Sequence, residues 1–139
     1  MAIDPEMLEA FATELGELKV QLAAPVEALR ANINQPQEFL KFSQIIDRVY
    51  GTAMTLDFKA IGEYSGLLRQ MCRKCGELQI QRAMPDVLKM MVRCLENFDK
   101  LQKSIKKPSE LRTLKLEIDK EIARAKRLEQ EVFAFVKKP

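Results

Sequence analysis

Thiols and carboxylates are the side chains this sequence offers for chemistry, because it contains no histidine. Cys72-Arg73-Lys74-Cys75 has the Cys-x-x-Cys spacing of metal and redox sites, and Cys94 supplies a third thiol. A zinc site built here would need both cysteines of that pair, Cys94 and a carboxylate as its four ligands. A thioredoxin-like pair needs a strand running into a helix, whereas the residues around Cys72 repeat at helical spacing. Three cysteines, an odd number in a chain without a secretory signal, point to reduced thiols rather than a disulfide framework. The three therefore read as small apolar side chains of a core, and neither a metal nor a cofactor is expected. With no glycine-rich phosphate loop either, little remains from which to build a catalytic site, and the expectation is a protein that is not an enzyme.

The balance of residues narrows the class further. Hydrophobic residues make up 47% and charged residues 31% of 139, which suits one soluble domain with a real core. Strand-favouring valine, threonine and aromatic residues are sparse, so the expected class is all-α. The 23 basic and 20 acidic groups are interspersed, which argues against nucleic acid. Lys103, Lys106, Lys107, Lys137 and Lys138 form the densest basic run, and a run of that size is usually a solvated face. No apolar stretch approaches the roughly 20 residues of a membrane span. Met1-Ala2-Ile3-Asp4-Pro5-Glu6 lacks the pattern of a signal peptide, so a cytoplasmic location is expected.

Proline and glycine divide the chain into five helices of an up-down antiparallel bundle, read as a single domain over 1–139. The first opens at Asp4-Pro5-Glu6 and carries Leu8, Phe11, Leu15, Leu18 and Leu22 on one face. Pro25 either kinks it or starts a second half bearing Val26, Leu29 and Ile33. Helix two is expected from about 36 to 54. Helix three is expected over about 58–81, with Asp57 as its cap and Ile61, Tyr64, Leu68, Met71, Cys75 and Leu78 facing inward. Helix four begins at Met84-Pro85-Asp86 and repeats Val87, Met91, Cys94, Phe98, Leu101 and Ile105. Lys106-Lys107-Pro108 ends it, and a long fifth helix is expected over 109–137.

That fifth helix carries two heptad positions. Leu111, Ile118, Ala125 and Val132 occupy one, and Leu114, Glu121, Leu128 and Phe135 the other, with Glu121 the sole polar member. Such a pattern suits either a coiled-coil seam between two copies, giving a homodimer, or a helix lying along its own bundle.

Helix two poses a separate question. It reads Ser43-Gln-Ile-Ile-Asp47-Arg-Val-Tyr50-Gly51-Thr-Ala-Met54-Thr-Leu56-Asp-Phe58. A glycine inside a helix costs about 1 kcal/mol relative to alanine, so Gly51 needs a reason. One reason is tight packing against a neighbouring helix, which also suits Gly62 and Gly66. The other is close approach of a partner to an exposed face. Asp47 and Gly51 lie four apart on one face, with Tyr50 and Met54 beside them.

The segment 47–58 resembles the signature of histidine-phosphotransfer domains, His-x-Leu-Lys-Gly followed five residues later by leucine and a short turn. Asp47 falls on the phosphorylated histidine, Val49 on the leucine, Tyr50 on the lysine, Gly51 on the glycine and Leu56 on the later leucine. The helix order is also similar to that of the first domain of chemotaxis histidine kinases. The departures decide what the resemblance implies. Asp47 replaces the histidine, Tyr50 replaces the lysine, and no shifted alignment recovers a histidine from a chain that has none. Acyl phosphate on Asp47 would need a metal-binding acidic pocket, which a helix position beside Arg48 does not supply.

What the resemblance then implies is a phosphotransfer fold that keeps a docking face and carries no phosphate. In the family that face binds receiver domains of response regulators. Asp47, Tyr50, Gly51 and Met54 are the residues it places there, since tyrosine and methionine suit protein interfaces and glycine keeps the surface low. The expectation is a non-catalytic interaction module for a receiver-type or other signalling protein. The competing expectation is a structural dimerisation or coiled-coil assembly module working through helix five and helix one.

Overall fold

The computed structural model describes residues 4–133, and among them every regular element is helical. Helix α1 spans Pro5–Ala31, α2 Pro36–Thr55, α3 Lys59–Leu78, α4 Met84–Ser104 and α5 Pro108–Leu128, with one π-helical turn at Glu129–Phe133. Four of the five begin with proline at one of their first two positions, where its missing N–H has no intrahelical acceptor to lose. At the start of α1 the Asp4 carboxylate accepts a hydrogen bond from the Glu6 backbone N–H at 2.9 Å.

Pro25 does not start a separate element: one helix runs through it. A mid-helix proline removes one hydrogen bond and crowds the preceding turn. Here Leu22, Pro25, Val26 and Leu29 are all buried, so the turns on both sides of the defect are packed into the core. The chain then turns with the Gln35 side-chain amide donating to the carbonyls of Ala28 at 2.8 Å and Asn32 at 2.7 Å.

Three boundaries differ from the sequence expectation. Asp57 does not cap α3; its φ is 58°, in the left-handed region that aspartate tolerates, and Phe58 stands at the cap position without a side-chain bond. The Phe58 N–H instead closes the turn on the Ala53 carbonyl at 2.8 Å. At its other end α3 stops at Leu78 because Gln79 adopts a φ of 50°, and the three remaining residues to 81 are not helical. Leu78, expected inside, is 47% exposed. The α-helical run of the fifth helix gives way at Leu128 to the π turn, and its expected end at 137 lies outside the described residues. Phe135, Lys137 and Lys138 lie outside the described residues, as does the side chain of Val132.

Directions alternate along the bundle. Met54 faces Gly62, Tyr50 faces Gly66, Asp47 pairs with Arg69 and Leu40 faces Gly76, so α2 steps backward as α3 steps forward. Glu9 with Lys106 and Lys19 with Asp99 define the same antiparallel relation between α1 and α4. Around the ring α1 meets α2, α2 meets α3, and α4 returns to α1. Between α3 and α4, which touch only sparsely, α5 is wedged.

That wedge settles where the heptad residues go. Leu114, Ile118, Glu121 and Ala125 are buried inside the chain's own core, and Leu111 and Leu128 are half-buried against it. These six positions thus pack on the chain's own bundle. Glu121, the polar exception, accepts from the Arg93 guanidinium of α4 through both its oxygens and from Arg124 at 3.1 Å. A carboxylate in the core is tolerable when it is paired and hydrogen-bonded in this way. At the centre of the bundle the ring of fully buried Tyr64 meets Phe98 edge-on, with centroids 6.2 Å apart. Its hydroxyl oxygen accepts from the Asn97 amide at 3.2 Å.

Candidate docking face on α2

The antiparallel pair α2–α3 is built on glycine. A Cβ at Gly62 would stand 2.5 Å from the Met54 sulfur, and one at Gly66 would stand 3.0 Å from the Tyr50 ring. One at Gly76 would collide with the Leu40 side chain and approach the Pro36 carbonyl oxygen to 2.9 Å. These three glycines let α3 come close enough for α2 side chains to lie across it. Gly16 on α1 is likewise covered, by Gln102 of α4. Four of the five glycines are therefore covered by side chains of a neighbouring helix.

Gly51 is the exception. It is exposed, and beyond its own stretch of helix backbone and its chain neighbours no heavy atom lies within 4 Å of the position its Cβ would take. Its carbonyl accepts a hydrogen bond from the Thr55 hydroxyl at 2.9 Å, a local bond that any residue at 51 would permit. Folding alone would favour alanine here.

The structure brings Asp47, Tyr50, Gly51 and Met54 to one stretch of α2 but uses them differently. Asp47 is exposed and ion-paired with Arg69 of α3. Tyr50 is half-buried, its ring lying against Gly66 with the Arg69 guanidinium 4.2 Å above the ring centroid. Part of its surface thus holds α2 to α3, in a cation–π contact of the kind worth about 0.5–1 kcal/mol where water has access. Met54 leans over Gly62 yet stays 51% exposed. Beside Asp47, a cleft of about 400 Å³ runs between the two helices, lined by Ser43, Gln44, Arg69, Arg73 and Glu77 among others.

Arg69 is the residue that sequence reasoning missed. The short 56–58 connection forces an antiparallel hairpin, and counting back from the turn sets Asp47 near Arg69. That register was the available signal. Its consequence is chemical: the Asp47 carboxylate sits beside a guanidinium, not among other carboxylates. Among the described residues, no group of three or more cysteine, aspartate or glutamate side chains is arranged to hold a metal ion.

The three cysteines are free and buried. Burial pushes the Cys75 thiol up to about 12 and raises Cys72 and Cys94 well above the ordinary thiol range. The native protein should accordingly react with Ellman's reagent only as fast as it unfolds, and should release three equivalents once denatured. Rapid reaction of Cys72 or Cys75 in the native state would contradict a purely packing role for the Cys-x-x-Cys pair.

In comparisons with known proteins, no family model, no curated protein and no solved structure matches this chain.

Proposed function

We propose that this chain is a non-catalytic protein-interaction module whose docking face is the exposed side of α2 around Gly51. The observation that carries the reading is the open space over Gly51, in a bundle whose other four glycines are all covered. A partner that presses its backbone against α2 accounts for a glycine that folding does not require. Met54 supplies exposed, adaptable apolar surface beside it, and the Asp47–Arg69 pair supplies a charged rim. The sequence likeness to histidine-phosphotransfer domains makes a receiver domain of a response regulator the partner proposed. The absence of histidine makes the role one of binding, scaffolding or sequestering, with phosphate carried elsewhere.

The burial of all three native thiols gives a clean test. A Gly51→Cys variant has one accessible cysteine, which takes a thiol-linked photocrosslinker. On illumination with receiver domains from the same host, we expect a heterodimer from position 51 and none from a Lys100→Cys control on α4. Equal yields from both positions would remove the assignment of the face to α2.

A further inference from the structure

A second site, independent of the α2 face, lies at the end of the bundle where α3 and α5 both begin. There the turn at Asp57 and the first turn of α3 stand apart from the first three turns of α5, leaving a cleft of about 690 Å³. That volume falls within the roughly 300–1,000 Å³ of small-molecule sites. Its accessible floor is Phe58, Ala60 and Leu111, all half-buried. Ile61, Leu114 and Ile118 close it from beneath and are themselves sealed, at 4%, 4% and 0% exposure.

The rim is charged and one-sided. Lys59, Arg112 and Lys115 are exposed, and among the described residues none of them has a carboxylate within ion-pair distance. Asp57 is the single acidic group on the same rim, so the lining carries a net excess of positive charge. Most other cations of the bundle are paired: Lys19, Arg69, Arg93 and Lys126 all face a carboxylate across a helix boundary. Both helices also direct the positive end of their dipoles toward this cleft.

We propose that the cleft binds a free anionic amphiphile. Its carboxylate, sulfonate or phosphate head would meet Lys59, Arg112 and Lys115, and its alkyl or aryl body would lie on Phe58, Ala60 and Leu111. The floor argues for a slim ligand over a partner helix. A docking helix needs a continuous exposed apolar stripe, and here the stripe Leu111, Leu114, Ile118 is accessible only at its first member.

The test uses 8-anilinonaphthalene-1-sulfonate, whose fluorescence reports occupancy, with decanoate, decyltrimethylammonium and phosphatidylglycerol vesicles as competitors. We expect saturable dye binding at one site, displaced by decanoate and not by the cationic amphiphile. Arg112→Glu with Lys115→Glu should weaken binding by at least about tenfold, because reversed charges repel the anionic head. Both positions are exposed and glutamate is a good helix former, so this variant should keep its helical circular dichroism. Leu111→Trp, which fills the floor without touching the charge, should also lose the dye. Displacement by both amphiphiles alike, or unchanged binding in the double variant, would overturn the proposal. So would displacement by the vesicles with none by decanoate, which would assign the cations to a membrane surface.

Discussion

Gly76→Ala is expected to destabilise the protein by about 2 kcal/mol, while Gly51→Ala is expected to stabilise it by up to about 1 kcal/mol. The same methyl group is added to a helix in both cases, and the helix itself gains about 1 kcal/mol each time. The difference comes from what the methyl meets. At Gly76 it would run into Leu40 and stand 2.9 Å from the Pro36 carbonyl oxygen, which is backbone at the start of α2. Leucine can change rotamer, but the backbone atom yields only if α2 shifts along its length. Overpacking of this kind costs typically about 1–3 kcal/mol, and the rigid neighbour places Gly76 at the upper end. At Gly51 the methyl would meet no atom within 4 Å beyond its own stretch of helix, so the propensity gain stands alone. For a chain of 139 residues the loss at position 76 corresponds to a fall in Tm of roughly 7 °C. Thermal melts of the two variants beside wild type read the contrast directly. A destabilised Gly51→Ala would mean that position 51 is packed, and the docking argument would lose its footing.

The second large effect concerns Glu121. Its side chain is 4% exposed and lies between Arg93, 35% exposed, and Arg124, 55% exposed. Arg93→Ala removes the partner that engages both carboxylate oxygens and leaves the weaker, solvent-reaching Arg124 contact. Breaking a buried pair by deleting one member typically costs about 3–5 kcal/mol. Since Arg124 remains, we expect a loss of about 2–3 kcal/mol by urea unfolding. Glu121→Leu should behave differently, because it replaces the carboxylate with an apolar side chain of similar size in an apolar setting. We expect that variant within about 1 kcal/mol of wild type. Combining Glu121→Leu with Arg93→Ala should recover most of the stability lost by Arg93→Ala alone. A double variant no better than Arg93→Ala would show that Arg93 contributes by packing its stem, not by pairing with the buried carboxylate.

How much of this was legible beforehand depends on whether the deciding contact is local. Helical periodicity named the inward face of α1, from Phe11 to Leu29, and Val87, Met91, Cys94, Phe98, Leu101 and Ile105 along and just past α4, though not the buried Met90 and Asn97 beside them. Those residues are buried because a spacing of three and four places them on one side of a helix, whatever the partner. Leu78 obeyed the same period yet is exposed, because Gln79 turns left-handed and ends α3 before the face is covered. Asp57 looked like a cap since aspartate suits that position, but it also suits the left-handed turn that the chain needed one residue earlier. Pro25 gave no sign of which outcome would hold, because the stabilising contacts come from other helices.

The site was harder for the same reason. Asp47, Gly51 and Met54 share an exposed face through their spacing within α2, which the sequence states openly. That Gly62, Gly66 and Gly76 are covered while Gly51 is not depends on the register of α3 against α2, and so does the Arg69 contact with Asp47 and Tyr50. The heptad on α5 was visible as a pattern, but pattern alone leaves open whether the complement is another copy or the same chain. The wedge between α3 and α4 supplies the answer for Leu114, Ile118 and Ala125.

The central claim, that α2 around Gly51 is a docking face, is tested most directly by measuring the affinity of Gly51→Arg for receiver domains from the same host. Position 51 faces open solvent, so arginine should be accommodated with a circular dichroism spectrum and Tm close to those of wild type. The account predicts that wild type binds at least one receiver domain in a surface-based titration. It also predicts that Gly51→Arg weakens that binding by about tenfold or more, since the new side chain occupies the space a partner's backbone would enter. A folded Gly51→Arg that binds as tightly as wild type would contradict it, as would a wild-type protein that binds no receiver domain at all.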